Sequence, residues 1–223
     1  MCRWVRQHNA GGRRLFRSTL AAALLALGGL TTLSGEDAIF FSREFPGSVP
    51  PYFEAVVNDT GAVEYREEPG EDLVEIQLTK DEIDRVFGLA KTLERFGRPT
   101  ENKKRRNVAS TGVKVLRFDS AGTTVGEVEF DYTEDLDYRE IVKFFVHLAG
   151  TEQHLFDLET TYQFDRLGVN KALLAFHASY DGGRIISPGQ FVEILKKIES
   201  QEKIIHMARS RAASLVEAIE SLD

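Results

Sequence analysis

The chain has 223 residues, of which 42% are apolar and 28% are charged, and its formal net charge is -7. This composition is typical of a soluble globular protein, and it excludes collagen-like, wholly disordered and polytopic membrane proteins. The charge is uneven: residues 1–34 contain five arginines and no acidic residue, so the remainder carries -12. Such an acidic remainder argues against nucleic acid as a partner.

The first residues have the pattern of a secretory signal peptide. Arginines precede an apolar run at residues 20–30, and small and polar residues follow at 31–35. A membrane span needs about 20 apolar residues, whereas residues 18–33 are too few and include two glycines and three threonines. We therefore predict a signal peptide at residues 1–34 and export to the periplasm or the medium. If the segment is retained, it tethers the protein to the inner membrane.

Cysteine usage agrees with this arrangement. The only cysteine is Cys2, inside the predicted signal peptide. An exported chain that begins after residue 34 then has no disulfide, no thiol nucleophile and no zinc site with cysteine ligands.

Residues 35–132 are predicted to form an antiparallel sheet of four to five strands with one packed helix. Asn58–Gly61 lies between two β-branched and aromatic runs and predicts a hairpin turn, because Asn and Gly tolerate positive φ. Thr79 and Glu82 have the spacing of a capping box, which predicts that a helix begins there. Gly97, shortly before Pro99, predicts that this helix ends near residue 97. The strands are predicted at residues 52–57 and 63–67, on either side of this turn, and at residues 73–78, 113–118 and 125–132.

The aromatic residues at positions 40, 41, 45, 52 and 53 have two interpretations. They form an edge strand whose aromatic side chains enter the core, or they form an exposed binding lip. We favour the core. The β-like pattern of this part of the chain and the helical pattern that follows predict an α+β fold with the sheet first in the chain.

Residues 133–223 are predicted to be helical, with two long antiparallel helices and one short helix between them at residues 170–179. From about Glu134 the apolar period changes from 2 to about 3.5 residues. The second long helix is predicted to begin at Ser187–Pro188. Its apolar positions then follow spacings of three and four to Leu222, with Gln201 as the only polar member. Such a seam packs within the chain or against a second copy, which would make a homodimer.

Two pairs of residues have the spacing of metal ligands. His154 has Asp157 one turn after it, and His206 has Glu202 one turn before it. The same spacings also make ordinary surface pairs on a helix, and a metal site needs further ligands from another element. The surface-pair interpretation is favoured, and no cofactor is predicted.

One basic cluster, Lys103, Lys104, Arg105 and Arg106, lies between the predicted helix and the next strand. In an acidic chain such a cluster is most simply a solvated loop. The functional alternative is a docking point for an acidic partner or for a membrane surface.

The early part of the chain resembles a group of uncharacterised exported bacterial proteins. The resemblance rests on residues 49–52, on the hairpin up to Tyr65, and on residues 78–82 with Leu93 and Phe96. It covers about residues 38–100. It implies export and an α+β beginning, and it brings no catalytic residues.

No phosphate-binding loop, dinucleotide fingerprint, nucleophile elbow or zinc-protease motif occurs in the sequence. The strongest pattern is the packing seam and not a convergent polar site. We therefore predict an exported, non-catalytic binding or assembly protein. The alternatives are an exported hydrolase that uses serine or carboxylates at the junction of sheet and helices, and a metal-binding helical bundle.

Overall fold

The computed structural model describes residues 37–70, 73–100 and 109–221. The predicted signal peptide at residues 1–34 and the basic cluster at residues 103–106 lie outside the described residues.

The strands form one antiparallel sheet in the order β4-β3-β2-β1-β5-β6. This confirms the α+β class, with six strands where four to five were predicted. Their bounds are β1 (Asp37–Glu44), β2 (Tyr52–Asn58), β3 (Ala62–Arg66), β4 (Val74–Gln77), β5 (Val113–Ser120) and β6 (Thr123–Phe130).

The first strand, β1, lies in the interior of the sheet and pairs with both β2 and β5. The prediction of an edge strand is therefore wrong, because hydrogen-bonded neighbours cover both of its sides. The prediction that its aromatic residues enter the core is confirmed for Phe41, which is fully buried. Phe41 stacks on Phe145 with ring centroids 4.6 Å apart.

The hairpin between β2 and β3 is confirmed. The Asn58 side-chain oxygen accepts hydrogen bonds from the backbone N–H groups of Thr60 and Ala62. Gly61 has a φ of +83°, and a Cβ atom there would lie 2.4 Å from a side-chain carbon of Ile83. Glycine is thus required both for the backbone conformation and for the close approach of the next helix.

Within the described residues, five α-helices follow or interrupt the strands. The first, α1, begins at the predicted capping box, in which the Glu82 backbone N–H donates to the Thr79 hydroxyl and the Glu82 carboxylate accepts from the Thr79 backbone N–H. The helices are α1 (Lys80–Thr92), α2 (Leu136–Phe164), α3 (Val169–Asp181), α4 (Val192–Ser200) and α5 (His206–Glu220).

The helix that was predicted to run unbroken from Ser187 to the C-terminal end is divided. A short 3-10 segment at Pro188–Phe191 leads into α4, and residues 201–205 separate α4 from α5. Gln201 and Ile205 have extended ψ values of 101° and 143°. The apolar spacing continues across this break because α4 and α5 fold back on each other and bury the same seam.

Apolar side chains form two clusters. The first lies between the sheet, α1 and the first half of α2, and the second lies among the end of α2, α3, α4 and α5. The seam residues are buried in the second cluster, at Phe191, Ile194, Ile198, Ala208, Ala212, Leu215 and Ile219. The seam therefore packs within one chain, and the homodimer stays a prediction. Within the described residues no helix is both long enough and apolar enough to cross a membrane.

Glu82 joins the two halves of the chain. Besides capping α1, its carboxylate accepts hydrogen bonds from the backbone N–H of Ser187 at 2.7 Å and from the Ser187 hydroxyl at 2.9 Å. Ser187 is 5% exposed and has a φ of 48°. One carboxylate thus fixes both the start of α1 and the entry to the last helical segments.

We expect Glu82→Ala to lower the free energy of unfolding by about 2–3 kcal/mol, because a cap is lost and the buried Ser187 donors lose their acceptor. Asp84→Ala is the matched control on the same helix: its exposed ion pair with Lys80 predicts a loss below about 0.5 kcal/mol. Urea unfolding followed by circular dichroism measures both. Equal losses in the two variants would contradict the bridging role of Glu82.

Candidate functional site

A cavity of about 490 Å³ lies between one end of the sheet and the first half of α2. The sheet contributes Arg43 from β1 and Lys114 from β5, and α2 contributes Arg139, Lys143 and His147. The α2 residues are spaced by four, so they share one face of the helix. Four formal cations therefore converge on one cavity in a chain that is acidic elsewhere.

Lys114 is the most deeply buried of these cations, with 5% of its surface exposed. Its ammonium group donates to the backbone oxygens of Thr111, Gly112 and Asp131 at 3.0, 2.6 and 2.7 Å, and to the Thr111 hydroxyl at 2.7 Å. Burial lowers its pKa to about 8. Its hydrogen bonds all go to uncharged oxygens, and the charge of the nearby Asp131 opposes the effect of burial only in part.

The loop beside Lys114 is held by glycine geometry and by Asp131. Gly112 has a φ of +88°, and a Cβ atom there would lie 2.7 Å from the Glu44 backbone oxygen. The Asp131 carboxylate accepts from the Thr111 N–H at 2.8 Å. Burial opposes ionisation of Asp131, but hydrogen bonds from Thr111 and the Lys114 charge outweigh it and lower its pKa. Asp131 thus serves as an anchor for this loop, and among the described residues no other carboxylate lines the cavity.

Arg43 contributes an unsatisfied donor. Its Nε atom is buried and has no hydrogen-bond partner within residues 37–70, 73–100 and 109–221, and its guanidinium lies 5.1 Å from the centre of the Phe45 ring. Burial lowers the pKa of Arg43, but an arginine stays protonated at neutral pH. No carboxylate among the described residues lies within ion-pair distance of Arg43, Lys114 or Arg139.

His147 completes the helical side of the cavity. Burial lowers its pKa, and the charges of Lys143, Arg85 and Arg184 lower it further. Its imidazole is therefore neutral at neutral pH and offers one donor and one acceptor. Aliphatic and aromatic side chains cover the rest of the wall, at Phe130, Tyr132, Val142 and Val146.

A second cleft, of about 290 Å³, lies between the outer strands and the middle of α2. It is lined by three acidic residues, Glu67, Glu152 and Glu159. Glu152 is 7% exposed, and its Oε1 atom is buried without a hydrogen-bond partner in the part of the chain that the structure describes. Burial raises the pKa of Glu152 to about 7, against the effect of a hydrogen bond from Gln190, and the charges of Glu159 and Glu67 raise it further.

The structure places the four candidate metal ligands in different surroundings. His154 lies on α2, where its Nε2 atom is 2.9 Å from the Ser179 hydroxyl. Asp157 is exposed on α2 and Glu202 is exposed between α4 and α5. His206 begins α5 and lines a shallow pocket. Across residues 37–70, 73–100 and 109–221, no group of three or more His, Cys, Asp or Glu side chains has a geometry that holds a metal ion.

No family model, no curated protein and no solved structure matches this chain. The resemblance of residues 38–100 to exported bacterial proteins therefore stays a prediction. What can be said about the function rests on the geometry of the two cavities.

No sequence motif marks Lys114 or Glu152 as a site residue, but the apolar periods of their strand and helix predict that both side chains lie on buried faces. Lys114 alternates with Leu116 and Phe118, which are buried, so the strand period places it on the core face. Glu152 comes one turn after the buried Leu148, and therefore lies on the apolar face of its helix. Cavities, in contrast, depend on distant elements and have no local pattern.

The pKa of Glu152 predicts a pH dependence of stability. The folded state holds the Glu152 proton more tightly than the unfolded chain does. Protonated Glu152 therefore contributes fully to the free energy of unfolding below about pH 4.5, and this contribution is lost as pH rises through about 7. As pH rises from about 4.5 to about 7, we expect the free energy of unfolding of Glu152→Gln to increase by about 3 kcal/mol relative to that of wild type. Urea unfolding at several pH values measures this, with the exposed Glu217→Gln as the control. A constant difference between Glu152→Gln and wild type would contradict it.

Proposed function

We propose that this chain is an exported, non-catalytic binding protein, and that the cavity between the sheet and α2 takes a small organic anion. The ligand carries a carboxylate or a phosphate group on a partly apolar body. The observation that supports this most directly is the buried Nε atom of Arg43, which has no hydrogen-bond partner among the described residues, in a cavity that also holds the buried ammonium group of Lys114.

The electrostatics of the cavity favour an anion. Burying a cation costs free energy unless an opposite charge or enough hydrogen bonds compensate. Lys114 has its hydrogen bonds and, among the described residues, no carboxylate within ion-pair distance, so it acts through its charge. Arg43 and Arg139 present planar guanidinium groups that suit the two oxygens of a carboxylate or phosphate. A bound oxyanion satisfies all three at once.

The shape and lining of the cavity favour a small molecule. Pockets for small ligands span roughly 300–1,000 Å³ and are mostly apolar with a few placed polar groups. The present cavity lies in this range, and Phe130, Val142 and Val146 give it an apolar wall. No serine or cysteine of the described part of the chain lines it, and this composition supports a binding site over covalent chemistry.

We expect benzoate or inorganic phosphate to bind the wild-type chain in isothermal titration calorimetry, with benzyl alcohol as the neutral control. Arg43→Gln and Arg139→Gln should each weaken binding about tenfold or more, because each removes a charge-assisted hydrogen bond. Lys171→Gln, an exposed cation on α3 outside the cavity, should bind like wild type. If both anions fail to bind, or if all three variants bind equally, the proposal is wrong.

A serine hydrolase is the second candidate, and one contact favours it. The Nε2 atom of His154 lies 2.9 Å from the Ser179 hydroxyl, the reach of a general base for a nucleophile. Burial lowers the pKa of His154, so the imidazole is free to accept a proton at neutral pH. Arg184 places a guanidinium nitrogen 3.5 Å from the same hydroxyl.

This candidate predicts that a fluorophosphonate reagent labels Ser179. Mass spectrometry of tryptic peptides should find the adduct in wild type, no adduct at this position in Ser179→Ala, and slower labelling in His154→Gln. Ser210→Ala, which changes an exposed serine on α5, should label like wild type. An unlabelled Ser179 in the folded wild-type chain would rule the hydrolase out.

A further inference from the structure

The acidic cleft beside the middle of α2 combines a buried charge with an apolar rim. Glu152 lies at its base, 7% exposed. Val74 and Phe156 form its rim and are 44% and 63% exposed. Exposed large apolar side chains next to a cavity are typical of a binding surface and not of a solvated face.

The carboxylates of this cleft have few local cations to neutralise them. Arg66 lines the cleft, but its guanidinium is paired with Glu54. Glu67 accepts hydrogen bonds from the Tyr65 hydroxyl and from the Gln153 amide. Within the described part of the chain, no Lys, Arg or His lies within ion-pair distance of Glu152, and its Oε1 atom has no donor.

We propose that this cleft binds an organic cation, namely a primary ammonium group on an apolar chain. The ammonium group donates to the unpartnered Oε1 of Glu152 and is attracted by Glu67. Its alkyl chain packs against Phe156 and Val74, which are exposed at the rim. The proposal is independent of the anion cavity, because the residues that line the two cavities are different.

The lining of the cleft favours an ammonium group over a metal ion. A divalent cation requires several oxygen ligands at close to 2 Å and usually keeps bound water. The described residues form no group of three or more side chains suited to a metal. A single buried acceptor beneath an apolar rim fits one ammonium head with a hydrocarbon tail.

The test uses the full chain and pentylammonium chloride, titrated calorimetrically at pH 8, where Glu152 is ionised. We expect saturable binding that is weakened at least tenfold in Glu152→Gln and is unchanged in Glu217→Gln, an exposed carboxylate on α5. Pentanol, which keeps the alkyl chain and lacks the charge, should not bind measurably. Absence of pentylammonium binding, or equal binding by Glu152→Gln, overturns the proposal.

Binding should also weaken at least threefold from pH 8 to pH 6, because ammonium binding requires the ionised carboxylate. The groups that face Glu152 are Glu67 beyond β3, Glu159 on α2 and the Gln190 amide before α4, with Tyr65 on β3 beside them. Arg66 on β3 lines the same cleft and is paired with Glu54. A pH-independent affinity in this interval contradicts the role of Glu152.

A second variant guards against a folding defect in Glu152→Gln. Phe156 is 63% exposed, so Phe156→Ala should keep the fold and should weaken pentylammonium binding about threefold to tenfold through lost apolar contact. Unchanged binding by Phe156→Ala overturns the proposed contact between Phe156 and the alkyl chain.

Nα-acetyl-lysine methylamide tests whether the ammonium group comes from a lysine side chain or from a free amine. If it binds like pentylammonium, the site accepts lysine side chains, and if only pentylammonium binds, the site takes free amines. Either result supports the ammonium chemistry.

Discussion

Burial of helix α2 by two different hydrophobic clusters is the constraint on which the rest of the structure depends. Its first half packs on the sheet, where Phe145 stacks on Phe41 with centroids 4.6 Å apart. Its second half enters the cluster of α3, α4 and α5 through Leu158. The sheet and the last helices are thus arranged around one helix of 29 residues. Glu82 adds a polar link between the same two parts.

This arrangement places two cavities of opposite charge along one helix. Arg139, Lys143 and His147 face the cavity at the end of the sheet, while Glu152 and Glu159 face the cleft further along α2. Each cavity contains a buried ionisable side chain with no opposite charge within ion-pair distance among the described residues. Burial of such a charge lowers stability, and this cost is the physical basis of the two proposed ligands, an anion in the first cavity and an ammonium group in the second. The basic cavity is a local exception in an acidic chain.

Much of the local structure was predictable because it depends on neighbours in sequence. The capping box at Thr79 and Glu82, the turn at Asn58–Gly61 and the start of the long helix near residue 134 are confirmed. The interior position of β1 was not predictable, because strand order depends on pairing between distant segments. The break at residues 201–205 was missed for a related reason: an apolar seam spaced by three and four continues through it, and only the packing of α4 on α5 reveals the turn.

The sequence by itself determined the class of fold, the local caps and turns, and the faces on which Lys114 and Glu152 lie, because these follow from periods of two and about 3.5 residues. It also supports the prediction of an exported chain, which rests on residues 1–34. The homodimer and a partner for the basic cluster at residues 103–106 stay predictions, and metal binding at the pairs of His154 and His206 stays the less favoured alternative to ordinary surface pairs. Only the tertiary structure decided which buried charges share a cavity. Arg43, Lys114 and Arg139 come together through strand pairing and helix packing, and contacts between distant residues leave no pattern in the local sequence.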